Sequence, residues 1–550
     1  MKCRVSAVQF GIGTDVGENL NTCLWMIDEA ARHSPDFIVL PEFSNHCAIY
    51  ESLEYAQNVA LDLKGEFLKT IADKALEHNT YIKINVTLKK PNDKPTVSNL
   101  LYSPKGKLVG RADKQILMSY ENNFCSRAEK AGDIVKTEFG NVGMYCGSEG
   151  LLMETTRLLT VRGAILLLNS PNSFASDDTN LHLPVRAAEN KVFIVSSCKV
   201  ENLVSDEKVV EFAEKMNIKS EWLQGTGESQ IIAPDGVILA KANRTGKDIV
   251  VAEIELDEAK SEIVLRNRRP ELYKQISTKP KEREYKAGAK SLKVAVCQNY
   301  NALRNLDANL VIFPELCFFT NGIVADVERA IQYSAQMIKL LSTFVSGTNK
   351  YVVTSIIEKS EDRFAHVGVL IDKKGIIFRQ KQLHKSNKHH WINDYDNELK
   401  TIDLPFGKLS IIIGEDSLYP ETFRLAAYQN AEIVAVPFSV QERWETEFGL
   451  LERSAENRCS IIAATRPNKS LEKYGNSLIL TIGEDSTLWT EWKNRHFDGN
   501  INYPIVNRAK VTDEVFYGEV CPANSGNRLV SQGIDVVDGR AYRLLKPLSK

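Results

Sequence analysis

The stretch from Gly140 to Arg157 holds the residues whose type and order bear most directly on chemistry. It reads Gly-Asn-Val-Gly-Met-Tyr-Cys-Gly-Ser-Glu-Gly-Leu-Leu-Met-Glu-Thr-Thr-Arg: an apolar strand, a Gly-rich corner, and a helix that opens on an acidic residue. A tight strand-to-helix corner pushes one side chain out at the sheet edge, and many α/β enzymes hold a nucleophile there. The corner offers Cys146 and, one place on, Gly147. Two other elements carry groups of the kind that move protons and bind charge. Glu42 closes an apolar strand in Leu40-Pro41-Glu42-Phe43, and Lys114 follows a hairpin that turns at Ser103-Pro104-Lys105-Gly106.

These residues must be positioned by a layered α/β scaffold. Residues 4–8 alternate as a strand, about 18–31 follow a helical pattern, and 37–40 form a second strand. A further helix is expected over 63–78, then strands over 81–88, 98–102 and 108–111. After the corner helix come a buried strand at 164–168, a helix closing at Arg186-Ala-Ala-Glu-Asn-Lys191, a strand at 192–196, and a hairpin turning at Pro234-Asp235-Gly236. Helices alternating with strands, with hairpins among them, indicate an α/β fold that is not purely parallel.

The second half repeats the first. Pro41-Glu42 recurs as Pro314-Glu315, and the corner recurs from Gly407 to Arg424. Lys114 and Lys381 each lie 33 residues before a corner glycine, Gly147 or Gly414. Glu154 and Glu421 follow those glycines by seven residues, Arg157 and Arg424 by ten, and Arg186 and Arg453 by 39. Matched spacings of this kind mark an internal duplication. The expected division is a first domain over 1–277, a charged, solvated linker over 278–290, and a second domain over 291–550. Gln9 to Glu42 spans 33 residues but Gln298 to Glu315 only 17, so the second domain is trimmed where the first helix would lie.

Composition removes several function classes. The formal charge is -2 over 550 residues, with 43% apolar and 25% charged residues mixed throughout, which provides no basic field for nucleic acid and no membrane-surface patch. Ten cysteines stand singly, without a Cys-x-x-Cys pair, as reduced thiols do. The first residues read as a strand and lack a signal-peptide core, and no apolar run approaches the ~20 residues that span a bilayer. The expectation is a soluble, cytoplasmic protein acting on a small molecule, without nucleic acid or membrane partners.

As a set, these elements resemble the carbon–nitrogen hydrolase (nitrilase) superfamily. The resemblance rests on Leu40-Pro-Glu-Phe43 and Phe313-Pro-Glu-Leu316, on Asp113-Lys-Gln-Ile-Leu117 and Gln380-Lys-Gln-Leu-His384, and on Gly414-Glu-Asp…Pro420-Glu421. Arg266-Asn-Arg-Arg-Pro-Glu-Leu-Tyr273 is similar to a segment near the end of single-domain members. The resemblance implies two tandem αββα sandwich domains packed as an intramolecular pseudo-dimer, the chain being a monomer or a homo-oligomer. It also implies a mechanism: a Cys thiolate attacks an amide or nitrile carbon, a Glu shuttles protons, and a Lys stabilises the tetrahedral charge. Those roles fall on Glu42 and Lys114, with Glu315 and Lys381 as their counterparts. No cofactor and no metal are implied.

The nucleophile is where the resemblance breaks. The family's corner counts seven residues from the first Gly of Gly-x-hydrophobic-Gly to Cys, which lands on Gly147 from Gly140 and on Gly414 from Gly407. Cys146 sits one place early and aligns with Ile413. It is either a nucleophile on a corner shifted by one residue or a buried strand thiol, because a one-residue slip turns a strand side chain to the opposite face. Cys47 and Cys317 read as small core residues. Glu121 lies near a second Glu of the family, with a surface-loop carboxylate as the alternative. His384, His389 and His390 have no spaced carboxylate or thiol partner, so a solvated polar loop is expected rather than a metal site. Two functions follow: hydrolysis or hydration of a small amide, nitrile or carbamoyl compound, or a pseudoenzyme that binds a small nitrogenous ligand.

Overall fold

The structure is a computed structural model that describes residues 1–118, 120–216, 218–299, 303, 306–319, 324, 326–483, 498–531 and 533–550. Its residues divide into two compact units. The first comprises Met1–Leu265, Thr487–Asn502 and Leu529–Leu548; the second comprises Arg266–Ser486, Tyr503–Arg528 and Ser549–Lys550.

In the first unit, two six-stranded sheets each carry helices on the outer face. One sheet runs in the order Asp248–Glu255, Lys2–Gln9, Phe37–Val39, Tyr81–Leu88, Thr96–Tyr102, Leu108–Asp113. The other runs Ile238–Lys241, Gln230–Ile232, Phe193–Ser196, Leu166–Ser170, Gly140–Cys146, Val135–Thr137. The central strands of each sheet are parallel and the flanking ones antiparallel. Because both faces of each sheet are covered, the central strands are buried at nearly every position. Alternation then sorts the side chains: Val5, Ala7, Phe37 and Val39 meet Val142, Met144, Leu166 and Val195 between the sheets. Val8, Ile38 and Ile82 face outward to Met26, Ile27, Leu68 and Ile71 of the helices Val16–Ala31 and Glu66–Glu77. On the other side, Leu167 and Ile194 meet Leu159 and Ala187 of the helices Met153–Val161 and Leu183–Asn190. This is the expected αββα sandwich.

The second unit repeats both six-stranded sheets and the corner helices, Pro420–Tyr428 and Leu450–Asn457. On its first sheet the long helix Val327–Val345 packs through Met337, Leu341 and Val345. Between Cys297 and Leu310, no helix is present among the described residues; part of the stretch expected to be trimmed lies outside them.

The unit boundaries differ from those expected. Residues 266–277 were assigned to the first domain but group with the second, and Leu529–Leu548 group with the first. Side-chain bonds explain the first shift. Arg268 Nε donates to Glu421 Oε1 at 2.9 Å, and Arg269 Nη1 donates to the carbonyls of Leu383 and Asp396 at 2.8 Å. The stretch 278–290 is not a solvated linker either. Arg283 donates to Asn430 and to the carbonyls of Ser525 and Gly526, while Tyr285 Oη and Gly288 N donate to Glu432 Oε1 at 2.7 and 2.8 Å.

The matched arginines and glutamates of the duplication are buried in both units. Arg186 donates to Glu189 at 2.9 Å, and Arg453 bonds Glu456 in the same way. Arg157 and Arg424 donate to the carbonyls of Glu189 and Glu456 at 3.2 and 2.9 Å. They tie the corner helix to the next helix, which fixes the spacing between them.

Candidate active site

Glu42, Lys114 and Glu121 come from three connections at one end of the first unit's sandwich. Glu42 follows Phe37–Val39, Lys114 follows Leu108–Asp113, and Glu121 begins a short helical turn, Glu121–Phe124. All three are buried. Lys114 Nζ donates to Glu42 Oε1 at 2.8 Å and to Glu121 Oε1 at 2.7 Å, and Met118 N donates to the second oxygen of Glu121 at 2.9 Å. Glu121 is therefore a buried partner of Lys114 and not a surface-loop carboxylate. Burial disfavours the Lys114 charge, but Glu121 and Glu42 together hold the ammonium well above its ordinary range. Burial likewise raises the Glu121 carboxyl, opposed by Lys114.

The corner turns on Gly147, whose φ of +49° is left-handed and favours glycine. A Cβ at this position would lie 2.5 and 2.8 Å from the Glu42 carboxylate oxygens and 2.9 Å from Lys114 Nζ. Residue 147 thus faces the Glu–Lys pair. The space a side chain would need at this position is taken by the pair itself. Glu42 Oε2 is buried without a hydrogen-bond partner among the described residues. Gly147 also lines a cavity of about 90 Å³ with Ser148, Asn172, Phe174 and Phe212 among the walls.

Cys146 points elsewhere. It pairs across the sheet with Ser170 and packs with Phe43, Val97 and Leu117. Its thiol is fully buried, and its hydrogen bond is to Glu149 Oε2 at 3.7 Å. Burial, then Glu42 and Glu149, push the thiol well above its ordinary range, against the pull of Lys114 and Lys83. A thiolate is the attacking form, and this environment disfavours it. Cys47 and Cys317 are also buried.

Three further ionisable groups surround the site and were not singled out from the sequence. Glu149 accepts from Gln115 N and Cys146 N at 2.9 and 3.0 Å, and burial pushes its carboxyl up to about 7. Lys83 bonds Ser170 Oγ and is pushed down to about 8 by burial. Lys199 sits 5.4 Å over the Phe43 ring, is likewise pushed down to about 8 by burial, and has no hydrogen-bond partner for its Nζ among the described residues. The available signal was charge within or just past apolar strands: Lys83 interrupts Tyr81–Leu88, and Lys199 lies three residues past Phe193–Ser196.

The second unit does not rebuild the pair. Glu315 accepts from His389 Nε2 at 2.7 Å and lies 3.5 Å from Lys388 Nζ. Despite burial, His389 and Lys388 hold its carboxyl well below the carboxylate range. Lys381 is not its partner: it is one-third exposed and pairs with Asp394. The backbone shows why the sequence count slipped. Lys114 N donates to Val97 O and Gln115 N to Glu149; Gln382 N donates to His366 O and Leu383 N to Asp416. Gln382 is the equivalent of Lys114, and the connection to the corner is one residue shorter. The slip turns Lys381 to the opposite face. By the same register, Val353 stands where the first unit has Lys83, and Arg466 where it has Lys199. Arg466 donates to the carbonyls of Glu315, Leu316 and Phe319. A Cβ on Gly414, whose φ is +52°, would meet Glu315 Oε1 at 3.2 Å and His366 Cε1 at 3.5 Å.

The histidine stretch is not a solvated loop. His384 bonds Asp416 Oδ1 at 2.8 Å and Tyr273 Oη at 2.5 Å, and His389 bonds Glu315, both histidines being buried while His390 is exposed. They serve separate carboxylates rather than one ion. No helix among the described residues is long and apolar enough to cross a membrane.

A profile of the family described as Carbon-nitrogen hydrolase matches residues 4–262 and again 275–482. The chain is 25% identical over 232 residues to a nitrilase of Pyrococcus abyssi, covering 42% of this chain and 81% of that one. It is 25% identical over 289 residues to the omega-amidase NIT2 of Xenopus tropicalis, covering 50% and 97%. It is 24% identical over 294 residues to the N-carbamoylputrescine amidase of Oryza sativa subsp. japonica, covering 50% and 95%. Among solved structures, a carbon-nitrogen hydrolase from Helicobacter pylori G27 aligns at 15% identity with a TM-score of 0.44, covering 50% of this chain and 99% of that one.

Proposed function

The chain belongs to the carbon-nitrogen hydrolase family, and from that premise we propose that its first unit hydrolyses or hydrates a small amide, nitrile or carbamoyl compound with water as the attacking group. The observation that carries this reading is the Glu42–Lys114–Glu121 triad, bonded at 2.7–2.8 Å beside a glycine that opens onto a cavity. The activities printed for the nitrilase, omega-amidase and carbamoylputrescine amidase relatives support the same reaction class.

The residues divide the work by charge. Water reaching the unpartnered, buried Glu42 Oε2 gives it a proton as the water oxygen bonds the substrate carbon. Lys114 spends two of its three N–H groups on Glu42 and Glu121, leaving the third for the oxygen or nitrogen that gains charge. For an amide, the proton on Glu42 then passes to the leaving nitrogen, releasing ammonia or an amine and the acid. For a nitrile, it completes hydration. Glu121 holds Lys114 in place. Without a covalent nucleophile, turnover is slow by comparison with a thiol route, by a factor on the scale of ~10⁴.

The test is turnover of small amides and nitriles by the purified chain and two variants. Glu42→Gln is expected to lower kcat by about 10²–10⁴-fold, and Cys146→Ala to leave it unchanged. A loss in folded Cys146→Ala as deep as in Glu42→Gln would put a thiol nucleophile in place of water.

A further inference from the structure

We propose that Lys83 is a positioning residue for Glu42: through the Ser170 hydroxyl and the Leu40 carbonyl, it pins the segment that carries Glu42 to the strand beside the corner. The consequence for rate rests on the proposed activity; the consequence for the Glu42 carboxylate does not.

The arm joins three connected groups. Lys83 lies in Tyr81–Leu88 and is fully buried. Its Nζ donates to Ser170 Oγ, and Ser170 Oγ donates to Leu40 O at 2.5 Å. Leu40 N in turn donates to Lys83 O at 2.9 Å. Both backbone polar groups of Leu40 are thus fixed by Lys83, one directly and one through Ser170. Leu40 stands two residues before Glu42. Ser170 ends Leu166–Ser170 and pairs with Cys146, the neighbour of Gly147. Lys83 belongs to one sheet of the sandwich and Ser170 to the other. The arm therefore crosses between the sheets at the site itself and ties Glu42 to the corner.

The fold does not call for this arm. The second unit keeps the backbone bond, with Phe313 N donating to Val353 O at 2.9 Å. It has Val353 in place of Lys83 and, by the register of its strands, Pro437 in place of Ser170. Both ends of the arm are missing together, and the two carboxylates stand differently. A Cβ at Gly147 would lie 2.5 Å from Glu42 Oε2, whereas one at Gly414 would lie 3.2 Å from Glu315 Oε1. The glutamate is closer to its corner in the unit that has the arm.

The energetics of Lys83 point the same way. Among the described residues its Nζ makes one hydrogen bond, to Ser170, although an ammonium has three N–H groups to donate. Burial disfavours its charge, opposed by Cys146, Glu42 and Glu149. A buried cation without a directly bonded anion is unfavourable. A reacting group misplaced by ~1 Å, on the other hand, loses about 10²-fold in rate. Holding Glu42 in register accounts for a charge that the sandwich alone would exclude.

Crystal structures of the full chain, with turnover of acetamide, propionamide and propionitrile, separate the arm from the fold. Lys83→Val, which installs the residue of the second unit, and Ser170→Ala each break the arm, whereas Ser170→Thr keeps its hydroxyl. With circular dichroism unchanged, both breaking variants are expected to carry Glu42 Oε1 out of hydrogen-bond reach of Lys114 Nζ. They should also lower kcat by about 10²-fold with KM within about threefold. Ser170→Thr should recover the carboxylate position and most of the rate. Ser170→Ala carries the test alone should Lys83→Val fail to fold. Glu42 still on Lys114 at 2.8 Å in both breaking variants would overturn the proposal. Displacement in Lys83→Val alone would overturn the link through Ser170. Displacement in both, with no turnover of any of the three compounds by the unaltered chain, would sink the proposed activity and leave the positioning standing. An active unaltered chain with full rate in both variants would do the reverse.

Discussion

Around Gly147 the first unit buries Glu42, Glu121, Glu149, Lys83, Lys114 and Lys199; around Gly414 the second keeps Glu315 and Asp416 and puts Val353, Gln382 and Arg466 where the lysines stand. Both units form the same sandwich and the same left-handed corner. The buried lysines are therefore no requirement of the fold. A buried ion is expensive unless well paired, and perturbed ionisable groups gather at functional sites more often than elsewhere. The copy without them has settled its carboxylates locally, Glu315 on His389 and Asp416 on His384. It has also set Lys388 beside Glu315 and tied Arg466 to backbone carbonyls. One unit retains unspent charge, and the other has spent it on structure.

The widest gap between the units should be in turnover. Lys114→Met removes the cation facing the reacting centre and is expected to cost about 10²–10³-fold in kcat. Glu315→Gln should leave turnover where it was, because Glu315 is engaged by His389. A rate lost equally in both variants, each shown to be folded, would place chemistry in the second unit and break the comparison.

The corners themselves should differ in stability. Any side chain at a φ near +50° costs on the order of 1–3 kcal/mol. Gly414→Ala is expected to show little more than that, since its Cβ would meet Glu315 Oε1 at 3.2 Å and the carboxylate need give by only a few tenths of an ångström. At 147 the new Cβ would stand 2.5 Å from Glu42 Oε2 and must displace a buried ion pair, whose disruption costs about 3–5 kcal/mol. Denaturant unfolding of Gly147→Ala and Gly414→Ala, read as separate shifts, ranks them. An equal shift would mean that the Glu42–Lys114 pair yields freely.

The fold and half the site were legible because they depend on patterns that strands and helices must obey. Apolar strands of period two, the helix over 16–31, and the Arg and Glu that lock the corner helices all leave fixed spacings. Glu42 and Lys114 were readable for the same reason. Lys83 and Lys199 were not, because a charge inside or just past an apolar strand does not by itself tell a buried lysine from a solvated one; their environment is assembled from other strands. The linker failed on composition: Arg283 and Tyr285 look solvated in sequence and are bonded in the fold.

Lys199 and Arg466 offer a contrast of opposite sign. The Lys199 ammonium is buried without a partner, so Lys199→Met is expected to stabilise the chain at pH 7 by about 1–4 kcal/mol, while Arg466→Met, which abandons three carbonyls, should destabilise it. The sign with pH follows from the lowered value. The folded lysine releases its proton near 8 and the unfolded one near 10.5, so the folded state binds fewer protons between those values and gains stability as pH rises through them. Below pH 8 the full penalty applies. Thermal unfolding at pH 7 and pH 9.5 should show the unaltered chain gaining on Lys199→Met at the higher pH. No change in their difference would mean that Lys199 has found an anionic partner.

The smallest effect expected is also the one that tests the register. Counting residues back from Gly414 selects Lys381 as the equivalent of Lys114, whereas the hydrogen bonds of the backbone select Gln382. The two choices predict different energies. Lys381 is one-third exposed and pairs with Asp394, a contact of the kind worth about 0–1 kcal/mol, so Lys381→Ala should shift unfolding by no more than that. Gln382 is buried, bonding His366 Nδ1 at 2.9 Å and donating to His384 O at 3.0 Å. Gln382→Ala strands those groups and should cost about 1–3 kcal/mol. If Lys381→Ala proved the more damaging, the one-residue slip would be wrong, and the second unit would have kept a lysine at its corner after all.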